Sequence, residues 1–158
     1  MTQFEQKKSG NQVATRDYVT IVIGPQLFGI PVEDVQDVFT PHSITRVPLA
    51  PAGVAGVLNL RGRIVTAIDL RHRLAMSPSD GPIAMAVGIE KAGESYGLII
   101  DGVGEVLTLD PARLEAVPEN LNPEWRAVSN GIYCLNDKLL VILDVDRLMN
   151  FERGVRAA

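Results

Sequence analysis

The sequence predicts a mainly β protein of small barrels or sandwiches, assembled from two copies of one unit, and three observations carry that expectation. Short runs of β-branched and aliphatic residues recur between turn signals along most of the chain. Helix-like stretches are brief and do not alternate with the strands, as they would around a parallel α/β sheet. Two segments recur in the same order at a slowly growing offset, the mark of an internal repeat.

Residues 1–16 are polar, aperiodic and turn-rich and read as a flexible N-terminal tail. Order begins near Asp17. "DYVTIVI" and "LFGIPV", joined by "GPQ", form a hairpin. In "VEDVQDV" the spacing of Val32, Val35 and Val38 fits either a short helix or a helix opening into a strand. "TPHSITRVPLAPAG" holds three prolines and is irregular connection. "GVLNL" and "RIVTAI" are strands flanking Arg61-Gly62, and Asp69 stands where an N-cap carboxylate belongs, before "LRHRLAM". "SPSDGP" is the clearest linker. "IAMAVGIE" and "YGLII" make the next hairpin, followed by the strand "VGEVLTL". "DPARL" supplies a cap, a proline and one helical turn. "PENLNPEW" reads as loop, "AVSNGIYCL" and "KLLVIL" as a hairpin across Asn136-Asp137, and "DVDRLMNF" as a final helix.

The repeat lies in this succession. "FGIPVEDVQDV" aligns with "YGLIIDGVGEV" at an offset of 68, Val47-Pro48 with Val117-Pro118 at 70, and "GVLNLRGRIVTAID" with "GIYCLNDKLLVILD" at 75. Each unit holds about five strands, too few residues for a comfortable core of its own, so the halves should share apolar surface and leave a groove along their seam. The first unit spans about residues 17–81 and the second about 82–150, with exchange of strands between them left open. Residues 151–158 form a C-terminal tail.

Composition narrows the function. A 46% hydrophobic chain folds, and no apolar run reaches the roughly 18 residues of a membrane span. The N-terminus lacks the apolar centre of a signal peptide, which points to a cytoplasmic protein. The lone Cys134, in an apolar setting, is expected to be buried. No metal-ligand spacing, phosphate loop or nucleophile motif occurs, so neither cofactor nor metal nor catalysis is expected. The net charge of −4 is unevenly spread: four arginines face Asp69 alone between residues 61 and 73, while nine carboxylates face Lys91 and Arg113 between 80 and 124. Such asymmetry suits oriented docking onto other proteins. The alternative, a small β-barrel that binds nucleic acid, is disfavoured by the acidic chain and by a 5% aromatic content too low for base stacking.

"GVLNLRGRIVTAIDLRHRL", with "FGIPVEDVQDV" upstream and "DGVGEVLTL" downstream, resembles the CheW family of chemotaxis coupling proteins over about residues 17–150. The resemblance implies two packed five-stranded β-barrels of Src-homology type with a few short helices. It also implies a non-catalytic adaptor. Such an adaptor couples methyl-accepting chemoreceptors to the histidine kinase CheA in arrays at the inner membrane, touching the membrane only through the receptors and binding no nucleic acid. The receptor tip would occupy the inter-barrel groove and the kinase's CheW-like domain other faces. Carried over by motif, Arg61 is the arginine of the Asn-Leu-Arg-Gly turn, flanked by Leu60 and Gly62. Asp37 stands at the family's acid, one methylene shorter than the usual glutamate, and the two positions can pair. Val35 and Val38 would add apolar contacts, with Val103 and Val106 as their counterparts in the second unit.

Overall fold

The computed structural model describes residues 14–79 and 81–149. Most of the N-terminal tail and all of the C-terminal tail therefore lie outside the described residues. Among the described residues, ten strands make two five-stranded sheets. They are β1 (Arg16–Ile23), β2 (Gln26–Pro31), β3 (Asp37–Phe39), β4 (Val54–Leu60), β5 (Arg63–Asp69), β6 (Met85–Lys91), β7 (Glu94–Ile100), β8 (Gly102–Leu109), β9 (Ser129–Leu135) and β10 (Lys138–Leu143). The helices are single turns: α1 (Leu70–Arg73), α2 (Pro123–Ala127) and α3 (Val145–Leu148).

One sheet runs β8-β1-β2-β10-β9 and the other β3-β6-β7-β5-β4. Adding 68 to β1 and β2 gives β6 and β7, and adding 75 to β4 and β5 gives β9 and β10, so the two orders are the same plan. Neither sheet is one sequence unit. The β1–β2 hairpin leaves its own unit to join β8, β9 and β10, while β6 and β7 join β3, β4 and β5. The parallel contacts that make this exchange share one register. Phe28 lies opposite Val141 and Gly29 opposite Ile142, as Tyr96 lies opposite Thr66 and Gly97 opposite Ala67.

Exchange produces the common core. Ile21, Ile23, Phe28 and Ile30 from one sheet pack with Val87, Ile89, Leu98 and Ile100 from the other, sealed by Leu70, Leu74 and Leu148. Burying one such side chain is worth about 1.5–3 kcal/mol, so neither sheet is an independent folding unit. Each also has a smaller core on its outer side: Tyr18, Tyr133, Leu140 and Ile142 in one, Leu58, Val65 and Ala67 in the other. The ends of each strand order do not pair with one another, so these Src-homology-like halves are closed by side chains and not by a full ring of ladder bonds.

Local chemistry explains the short helices. Asp69 accepts from the N–H groups of Arg71 and His72, and Asp144 from that of Arg147, so both repeat-related aspartates are caps. Arg73 of α1 donates to the carbonyls of Leu148 and Arg147 at the end of α3, tying the two helices together. In "VEDVQDV" a 3-10 turn at Val32–Asp34 precedes β3, so the helix does open into a strand.

Two expectations need correction. "PENLNPEW" is not loop throughout: Asn122 caps α2, with a proline at its start, and Trp125 lies within the helix. Its indole N–H donates to the Leu74 carbonyl at 2.8 Å, and its ring meets Phe28 edge-on. Cys134 is exposed, not buried. Ile132 and Tyr133 fill the two cores on either side of β9, an edge strand, and Leu135 still packs against the outer one, while Cys134, on the face of Ile132, lies outside the shared core, 3.8 Å from a Glu115 carboxylate oxygen.

Candidate partner-docking site

The β4–β5 hairpin closes in register, Leu60 opposite Arg63, leaving Arg61 and Gly62 as a two-residue turn. Both have positive φ, 53° and 83°, the backbone of a tight hairpin turn matched to strand twist. Glycine meets that demand without strain. Arg61 is a non-glycine residue held in the left-handed region, and the Asn59 side chain braces the turn by accepting the Gly62 N–H at 3.0 Å.

The turn places Arg61 beside β3. Its Nη1 donates to Asp37 Oδ2 at 3.2 Å, so the shorter acid does reach. The arginine side chain stays 73% exposed while the aspartate is 30% exposed. An ion pair so open to water adds at most about 1 kcal/mol to folding. Its consequence is orientation: the pair restricts where a largely exposed guanidinium can point.

Apolar surface flanks the pair. Val38 and Ile64 are 37% and 64% exposed. Ile64 also lines a depression of about 360 Å³ together with Thr40, His42, Ser43, Thr45, Val57 and Leu60. Charged tip, apolar side chains and hydroxyls thus lie on neighbouring parts of one half of the molecule. Ile64 was not singled out from the sequence. Its signal was present in "RIVTAI", where strand alternation must turn either Ile64 or Val65 outward, and Val65 is the buried one.

The remaining residues fall into two places. Leu60 and Gly62 belong to the Arg61 hairpin. Val35 and Val103 are half-buried, and both pack against the shared core between the sheets. Val106, on the edge strand β8, is 55% exposed. At the corresponding tip of the second unit, Asn136-Asp137 replaces Arg61-Gly62, and Glu105 stands where Asp37 stands. Among the described residues, no group of three or more His, Cys, Asp or Glu could hold a metal ion, and no helix is long and apolar enough to cross a membrane.

Residues 17–153 match the profile of the CheW-like domain family. The chain is 30% identical over 145 residues to the "Probable chemotaxis protein CheW" of Rhizobium etli, covering 90% of this chain and 92% of that protein. It is 27% identical to the "Chemotaxis protein CheW" of Klebsiella aerogenes, covering 92% and 88%. Among solved structures, the scaffolding protein TtCheW from Thermoanaerobacter tengcongensis superposes with a TM-score of 0.77 at 28% identity, covering 88% of this chain and 90% of that one. The family match over nearly all of the described residues and these likenesses agree: the chain belongs to the CheW-like domain family.

Proposed function

We propose that this protein is a non-catalytic adaptor that couples methyl-accepting chemoreceptors to the histidine kinase CheA in chemotaxis arrays. It works in the cytoplasm and meets the inner membrane only through the receptors. In this reading the receptor tip lies along the seam where Val35 and Val103 join the shared core. The kinase's CheW-like domain docks on outer faces that include Asp37, Val38, Leu60, Arg61 and Gly62. Family membership supports the coupling role. The observation that carries the docking assignment is Arg61, exposed and held by Asp37 at a tip whose repeat-related counterpart has no cation.

Such a protein acts by holding two others at a fixed spacing, so its rigid core and divergent surfaces are what the role requires. Phosphoryl transfer stays with the kinase. The test is reconstitution of kinase, membrane-bound receptor and this chain. Co-sedimentation and receptor-controlled autophosphorylation are expected only with all three present. Arg61→Glu should weaken kinase binding about tenfold or more, the range of an interface hot spot, while costing no more than about 0.5 kcal/mol of stability. Unchanged co-sedimentation and kinase control on omitting this chain sinks the assignment.

A further inference from the structure

The Asp37–Arg61 pair depends on a residue that touches neither charge by hydrogen bond. Asp37 lies opposite Gly88 of β6 in the sheet register. A β-carbon built on Gly88 would fall 2.2 Å from Asp37 Oδ1, far inside contact distance. The Asp37 carboxylate thus occupies the space a side chain on β6 would fill, with Oδ1 over the glycine and Oδ2 turned to Arg61. Nothing else obstructs that site: the nearest other atoms are Asp37 Cγ at 3.4 Å and the Asp37 carbonyl at 3.6 Å, ordinary contacts. An alanine there would spare the backbone and displace only the tip of the aspartate.

The other sheet fills the same spot differently. At the offset of 68, Thr20 of β1 takes the place of Gly88 and Glu105 of β8 that of Asp37. There the Thr20 hydroxyl donates to the Glu105 carbonyl at 2.6 Å, and the crowded position has moved to Gly104, whose added β-carbon would lie 2.6 Å from that hydroxyl. A glycine at position 88 is therefore no requirement of the repeated sheet. It accompanies the one tip that carries an arginine.

We propose that Gly88 is a positioning residue for the docking tip: its missing side chain lets the Asp37 carboxylate lie on β6 and hold Arg61 ready for a partner. The partner side of this inference rests on the docking role proposed above; the geometric side does not. The test uses the full-length chain, uniformly labelled with 15N. The mobility and solvent exchange of the Arg61 Nε–H are followed by NMR, alongside melting and affinity for the kinase's CheW-like domain. In Gly88→Ala the Arg61 signal should become as mobile as in Asp37→Ala, with melting almost unchanged. Affinity should fall about fivefold, the scale of one exposed ion pair, and Arg61→Ala should then cost little more. An Arg61 that stays as ordered as in the parent in either variant overturns the proposal. So does a large drop in melting for Gly88→Ala, which would make the glycine a requirement of the sheet. If Arg61 is released but no Arg61 variant alters binding, the docking role falls and the positioning role stands.

Discussion

The hairpins that end at Arg61-Gly62 and at Asn136-Asp137 share their strands and differ at their tips. Both tips hold their first residue at positive φ, Arg61 at 53° and Asn136 at 34°, but the second residue follows only in Gly62, at 83°. Both first strands are bridged by a preceding segment at matching positions, Thr45 to Val57 and Glu115 to Ile132. The N–H groups of Asp69 and Asp144 bond to the Gly53 and Val128 carbonyls, again 75 apart. Charge follows no such rule. Arg71 bonds Asp101 at 2.6 Å, whereas its counterpart Asp146 bonds Lys91. Duplication has preserved what the backbone needs and released what solvent sees, so functional asymmetry is found by subtracting one unit from the other.

Substitutions can break that comparison, the largest where the units agree. A β-carbon on Gly56 would stand 2.3 Å from the Thr45 carbonyl oxygen, and one on Gly131 would stand 2.7 Å from that of Glu115. Gly56 also has a φ of 150°. Alanine at either should cost about 3 kcal/mol or more in urea unfolding, because a backbone bridge and not a side chain has to move. Large losses are expected in both units, the larger at Gly56, whose backbone adds strain to the clash, and a loss in only one means that the bridges are not equivalent.

The seams should respond oppositely. Burial works against the charge of Asp101, but the Arg71 guanidinium and the Gly24 N–H together hold its carboxyl below the usual range. A lowered folded value stabilises the fold above the ordinary carboxylate range and loses that contribution as pH falls through the folded value. Asp101→Asn should therefore cost about 1 kcal/mol at neutral pH, discounted for partial exposure, with the difference fading in acid. The other seam is a polar cleft of about 210 Å³ lined by Arg16, Asp34, Glu90, Lys91, Asp144 and Asp146. There burial, followed by repulsion from Glu33 and Asp146, raises the Asp34 carboxyl. A raised acid penalises the fold above its folded value and not below its unfolded one. Asp34→Asn should give a small gain, about 0.5 kcal/mol, at neutral pH that vanishes as pH falls through the raised folded value. Chemical unfolding across pH checks both, and slopes of the same sign would mean that the seams do not differ.

Much of this was legible because it is local. Strand runs, caps at Asp69 and Asp144 and the Arg61-Gly62 turn all follow from residues within a few positions of one another. Cys134 and α2 were misread for the complementary reason. An apolar neighbourhood in sequence does not reveal that one face of an edge strand has passed the edge of its core, and Asn122-Pro123 reads equally as loop or helix start. Gly88 beneath Asp37 was invisible, since 51 positions separate two residues that only the β3–β6 register brings together.

By itself the sequence determined a duplicated, mainly β chain with an arginine turn in only one copy, because periodicity, capping and turn preferences act over a few residues. Tertiary structure alone decided that the β1–β2 and β6–β7 hairpins change places, fusing two units too small to bury their own apolar faces into one core. It also decided that Asp37 reaches Arg61 across a missing side chain. Those outcomes depend on which distant strands share a ladder, and packing, not local preference, makes that choice.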